Sequence, residues 1–195
     1  MSAEMAGDYL TYRMASGRGR TRVLRVGVAA GLVAAAAAAW VAVATTGGGA
    51  SGAAVAAGSL PRVSDFSLAS VRPGQPSVSL SAEAGRPVVL SFFASWCDGC
   101  QAELKAMRQV VATAPKNVAV IGVDVNDSSA AARSLLAADH LTYPVGADTA
   151  GNVASSAGLV GLPTTLFFNA SHKAIGQVVG PLTPAAAAPW LRRIG

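Results

Sequence analysis

Two kinds of apolar pattern divide the chain. Val26 to Thr45 is one unbroken run of about twenty uncharged residues, mostly Val, Ala, Gly, Leu and Trp, whereas beyond Pro61 the apolar positions fall into short runs separated by polar turns. Val88 to Phe93 is compact, β-branched and aromatic, which predicts a buried strand. After it, Cys100, Leu104, Met107 and Val111 recur at helical spacing and predict a helix over Cys97 to Ala112. Val118 to Val123 and Ser128 to Ala138 read as a further strand and helix. Asp65 to Ala69 and Ser77 to Leu80, parted by Arg72-Pro73-Gly74-Gln75-Pro76, predict an N-terminal hairpin. Tyr143 to Val145 reads as a short edge strand or extended loop and Asn152 to Ala157 as a brief helix. Thr165 to Phe168 and Ala174 to Val179 read as strands joined by a turn at Asn169 to His172. Pro184 to Arg193 closes the chain as a helix, with Thr183 placed to cap it and Trp190 and Leu191 on its apolar side. Alternating strands and helices define an α/β fold.

The long run is enough to cross a bilayer as a helix, and no charge lies between Arg25 and Arg62. It accounts for much of a composition with 52% hydrophobic and 13% charged residues. Arg13, Arg18, Arg20, Arg22 and Arg25 precede it, and a neutral Gly/Ala/Ser stretch follows. Because positive flanks stay in the cytoplasm, the expected order is a basic cytoplasmic segment (1–25), a transmembrane helix or signal-anchor (26–45), a flexible linker (46–61) and a folded domain (62–195) facing outward. The expected location is a bacterial cell membrane, single-pass. Small residues at Ala54-Val55-Ala56-Ala57 keep open the alternative of a cleaved signal and a secreted domain. With no cysteine ending the run and no Arg-Arg pair before it, lipoprotein processing and twin-arginine export are not expected.

The formal net charge is +5, but from residue 46 onward ten Lys or Arg face eight Asp or Glu. The basic surplus is a topology signal in the leader, so no nucleic-acid partner is expected.

The chain has two cysteines, Cys97 and Cys100, within Ser95-Trp96-Cys97-Asp98-Gly99-Cys100. The pair sits where the buried strand hands over to the helix. Helix N-termini carry unpartnered N–H groups and partial positive charge, which favour a thiolate over a thiol. Cys97 is therefore expected to be the nucleophile and Cys100, one turn in on the apolar stripe, its buried resolving partner. Structural zinc needs four ligands, and only His140 and His172 remain, far apart. Haem attachment needs His after the second Cys, where Gln101 stands. No metal or separate cofactor is expected beyond a redox-active Cys97–Cys100 disulfide. An inert structural disulfide stays open as the alternative, although so short a loop constrains the unfolded chain little.

Pro87 to Cys97, the continuation Cys100-Gln101-Ala102-Glu103-Leu104, Gly122-Val123-Asp124 and Gly161-Leu162-Pro163-Thr164-Thr165 together resemble the membrane-anchored thioredoxin-like oxidoreductases of the TlpA/ResA type, associated with cytochrome c maturation. The likeness runs from about Asp65 to the C-terminus. It implies a thioredoxin-like fold, a central mixed β-sheet flanked by helices. It also implies that Pro163 is a cis-proline beside the dithiol, that Leu162 offers backbone groups to an extended substrate, and that Trp96 shields the cysteines. Glu103 matches the family's active-site glutamate, and at three residues past Cys100 it is expected beside that cysteine on the helix surface, where it could move protons. Thioredoxin itself carries a buried aspartate where this chain has Ser91, and many relatives carry proline where it has Gly99.

The resemblance implies exchange with disulfide-containing exported proteins or apocytochrome c, and a membrane partner that re-reduces the dithiol. Reduction of substrate disulfides is the expected direction. An oxidase that donates its disulfide and a non-catalytic tethered peptide-binding module remain alternatives. A thiol peroxidase is less favoured, because Ala94 stands where peroxiredoxins have Thr.

Overall fold

The computed structural model describes residues 53–54 and 60–195. The basic segment, the apolar run and most of the linker lie outside the described residues, and among the described residues no helix is long and apolar enough to cross a membrane.

The strands are β1 (Ala53–Ala54), β2 (Ser67–Leu68), β3 (Val78–Ser79), β4 (Val88–Phe93), β5 (Ala119–Val125), β6 (Val145–Asp148), β7 (Thr164–Phe168) and β8 (Ala174–Val179). The helices are α1 (Asp98–Thr113), α2 (Ser129–Ala138), α3 (Asn152–Ser156) and α4 (Pro184–Ile194). Six strands form one mixed sheet in the order β1-β8-β7-β4-β5-β6, and β2 and β3 pair antiparallel as a separate two-stranded sheet. This is a thioredoxin-like α/β fold.

At the centre, β4 runs parallel to β5 and antiparallel to β7. All six β4 residues are buried. Val88, Leu90 and Phe92 point into a core beneath Phe66, Val78, Leu80 and Ala154, while Val89 and Phe93 point to the face covered by α1, α2 and α4. A strand buried on both sides reads as a continuous apolar run rather than an alternating one, which is why Val88–Phe93 was legible. The outer edge of β6 is covered by the segment that follows β2: Val71 N–H donates to the Val145 carbonyl at 2.9 Å and Ala147 N–H to that of Ala69 at 2.8 Å. Such cover keeps an edge from pairing with other chains.

Several element limits differ from the sequence reading. The helix after the cysteines begins at Asp98, with Cys97 as its N-cap residue. Its buried stripe is Cys100, Glu103, Leu104, Met107 and Val110, not the stripe through Val111. The edge strand lies at Val145–Asp148, because Pro144 cannot supply a ladder donor and pairing with β5 starts at the next residue. Ser128 and Thr183 cap α2 and α4, accepting from the N–H groups of Ala131 and Ala186.

Candidate active site

Cys97 and Cys100 are joined as a disulfide, with Cα atoms 5.3 Å apart. Cys97 has extended backbone and Asp98 opens the helix, so the Cys97 sulfur lies at the end of α1 where helical N–H groups are unpartnered. The Cys97 carbonyl accepts from Cys100 N–H at 3.0 Å. Cys100 is fully buried and Cys97 is 8% exposed, so the first cysteine is the one at the surface, through a narrow opening.

The Leu162–Pro163 peptide bond is cis. Pro163 packs against the first turn of α1: a methyl placed on Gly99 would lie 3.3 Å from its Cδ and 3.6 Å from Cγ of Pro181. The Pro163 carbonyl accepts from Gly180 N–H at 2.8 Å, and the Thr164 hydroxyl donates to the Gly161 carbonyl at 2.7 Å, so the loop is held from both sides. The Leu162 side chain is half-buried against both core layers.

Trp96 is 59% exposed, so it lies at the surface next to Cys97 and not in the core. Its indole N–H donates to the Asn126 carbonyl at 3.1 Å. With Val125, Asn126, Leu159, Gly161 and Leu162 it lines a shallow groove.

Glu103 lies on the buried face of α1, fully enclosed, on the same stripe as Cys100. Its Oε1 accepts from the hydroxyls of Ser91 at 2.8 Å and Thr165 at 3.1 Å, and its Oε2 accepts from Leu182 N–H at 3.1 Å. Burial raises its pKa above the usual carboxylate value, while these donors pull the other way. Ser91, which stands where thioredoxin has its aspartate, is thus a partner of the carboxylate that enters from α1. Ser91 and Thr165 occupy adjacent, paired strands, so β4 and β7 jointly build the niche.

Sequence reasoning gave no role to a second carboxyl group, Asp124 on β5, which is buried without a hydrogen-bond donor. Nearby, Asp127 accepts from Ser95 N–H at 2.7 Å, immediately before the Trp96-Cys97 pair. The available signal was a charged residue inside the apolar run of a predicted buried strand. Among the described residues no three His, Cys, Asp or Glu converge as a metal site requires.

A thioredoxin-like sheet that presents a disulfide at a helix N-terminus, beside a cis-proline, defines a class of thiol-disulfide exchange proteins. The chain belongs to the AhpC/TSA family, whose profile matches residues 61–175. It is 31% identical to the thiol-disulfide oxidoreductase ResA of Oceanobacillus iheyensis over 61% of this chain and 64% of that one. It is 29% identical to the thiol:disulfide interchange protein DsbE of Pseudomonas fluorescens biotype C, over 59% of this chain and 63% of that one. A crystal structure assigned as thiol:disulfide interchange protein DsbE from Chlorobium tepidum superposes with a TM-score of 0.60 at 28% identity, covering 69% of this chain and 93% of that one. The protein is a thiol-disulfide oxidoreductase of the ResA/DsbE type.

Proposed function

We propose that the protein is held in the bacterial membrane by residues 26–45 and reduces disulfides of proteins outside the cytoplasm, apocytochrome c among them. The observation that carries this reading is the Cys97–Cys100 disulfide at the start of α1, with the first sulfur at the surface and the second fully enclosed. In the reduced enzyme the Cys97 thiolate attacks one sulfur of a substrate disulfide. A mixed disulfide forms and the other substrate sulfur leaves as a thiolate, which takes a proton. Cys100, losing its own proton, then attacks Cys97 sulfur and expels the second substrate thiolate. The substrate gains two electrons and two protons, and the enzyme is left as the disulfide seen here.

Glu103 serves this second step. It lies one turn below Cys100 on the same buried face, where a carboxylate that readily holds a proton can take the one Cys100 releases. Trp96, Leu162 and Pro163 form the surface against which an extended substrate segment lies. A membrane protein carrying reducing equivalents from the cytoplasm would recharge the enzyme, and anchoring both in one bilayer raises their effective concentration.

Cys100→Ala tests the reading, because the mixed disulfide then has no resolving thiol. Expressed full-length, it should accumulate covalent adducts at Cys97 that include an apocytochrome and disappear under reductant. An absence of adducts would overturn catalysis. Cys97→Ser should abolish exchange while leaving any peptide binding intact, which separates the enzyme from a binding module. The potential decides direction: a value near about −270 mV supports a reductant, and one near about −120 mV makes it a disulfide donor.

A further inference from the structure

Asp124 lies in β5, paired with Phe93 of β4 on one side and Ala147 of β6 on the other. It is fully buried, and neither carboxylate oxygen meets a donor. An ionised carboxylate only accepts hydrogen bonds, so an orphan of this kind is among the costlier things a core can hold. A proton on Asp124 removes the difficulty, because the group becomes a donor, and the acceptor beside it is Asp127.

Asp127 is committed to staying ionised. Its Oδ2 accepts from Ser95 N–H and its Oδ1 from Ser128 N–H, both at 2.7 Å. Burial works against its charge, but the hydrogen bonds from Ser95, Ser128 and Asp124 hold its pKa below the usual carboxylate value. For Asp124 burial, the Asp127 charge and the bond to Asp127 all act together and push it up to about 8. Among the described residues Asp127 is the one ionisable neighbour acting on Asp124. The charged groups on surrounding elements are otherwise engaged. On α1, Glu103 takes Ser91, Thr165 and Leu182; on β6, Asp148 accepts from Ala154 N–H; Arg133 of α2 donates to the Val71 carbonyl; Arg72 donates to those of Leu141 and Tyr143. Tyr143, buried in the same core with its hydroxyl unpartnered, keeps its proton because burial raises its pKa, and Cys97 and Cys100 are closed as the disulfide.

The turn at Asn126 and Asp127 grips the cysteine loop twice, through Ser95 N–H on Asp127 and through the Trp96 indole on the Asn126 carbonyl. We propose that Asp124 and Asp127 share one proton and together form a latch that positions the loop carrying Cys97, so that loss of this proton loosens the loop and limits exchange at alkaline pH. Asp124 is thus a positioning residue. The proposal rests on Cys97 being the attacking sulfur. Once Asp124 ionises, two like charges face each other in the interior, and Asp127, at the surface end, is the one free to move, taking its grip on Ser95 with it.

Two readouts on the full-length protein in detergent test this. The first is hydrogen exchange of the Ser95 amide in the oxidised form, which does not depend on cysteine reactivity. Between about pH 7 and about pH 9.5 its protection, corrected for base catalysis, should fall about tenfold or more. In Asp124→Asn, whose amide donates to Asp127 at every pH, protection should persist. The second is the rate at which the reduced enzyme reacts with oxidised glutathione. It should rise as thiolate forms and then fall about threefold or more above pH 8. In Asp124→Asn it should rise to a plateau. Should that variant not fold, Asp127→Asn, which leaves an ionised Asp124 no like charge to face, should remove the Ser95 step. Steady Ser95 protection through about pH 9.5, or an alkaline fall that survives in Asp124→Asn, overturns the latch. Absence of any reaction with glutathione, with the Ser95 step present, would sink the assignment of Cys97 and leave the latch standing.

Discussion

Glu103 is enclosed because its position on α1 leaves it no other direction: with Cys100 three residues before it and Met107 four after, it falls on the stripe that faces the sheet. Removing it should be costly. Glu103→Ala leaves Leu182 N–H and the hydroxyls of Ser91 and Thr165 without an acceptor, and opens a void besides. We expect a loss of about 3 kcal/mol, read from urea unfolding. Glu103→Gln keeps the shape and should cost much less. The two forms should also differ in their pH dependence. Since the native state holds this proton to higher pH than the unfolded chain, the unfolded chain binds fewer protons in that interval. Stability therefore declines as pH rises out of the ordinary carboxylate range toward the native pKa. In Glu103→Gln that share of the decline should be absent, so its urea midpoint should gain on the parent as pH rises out of the ordinary carboxylate range. The cysteines were legible because their spacing and flanks are local. Glu103, Asp124 and the exposure of Trp96 were not, because each depends on what a distant segment places opposite it.

At the scale of elements, the C-terminal helix is tied to the sheet by aromatic packing that one glycine permits. Trp190 of α4 stacks on Phe167 of β7 with ring centroids 5.6 Å apart, and the Arg193 guanidinium lies 5.1 Å from its ring. A Cβ on Gly176 of β8 would collide with the indole. Gly176→Ala should therefore push α4 off the sheet and destabilise the protein by about 1–3 kcal/mol, read as a fall in Tm. Gly161→Ala is the control, since nothing lies within 4 Å of the added methyl. The strands β4, β7 and β8 and the helices α1, α2 and α4 could be placed from periodicity and caps to within a residue or two. β6 was displaced, because Tyr143-Pro144-Val145 looks extended on its own and only the register with β5 decides where pairing begins.

For the whole chain, the arrangement of charge around residues 26–45 makes a prediction about place. In bacterial cells the full-length protein should sediment with membranes and resist alkaline extraction. Protease added to cells stripped of their wall should digest the folded domain and spare the basic N-terminal segment. Recovery of a shorter soluble form would mean instead that the apolar run is removed after export. What the residues alone determined is whatever a short stretch of chain carries: the buried central strand, the caps, the dithiol at a helix start and the charge asymmetry of the leader. Only the tertiary structure decided which carboxyl groups are buried, which of them meets hydrogen-bond donors, and how Pro163, Gly99 and the turn at Asn126 and Asp127 close around the cysteines. Those outcomes depend on desolvation and hydrogen bonding between segments far apart in the chain, and neither exists until the sheet has brought the segments together.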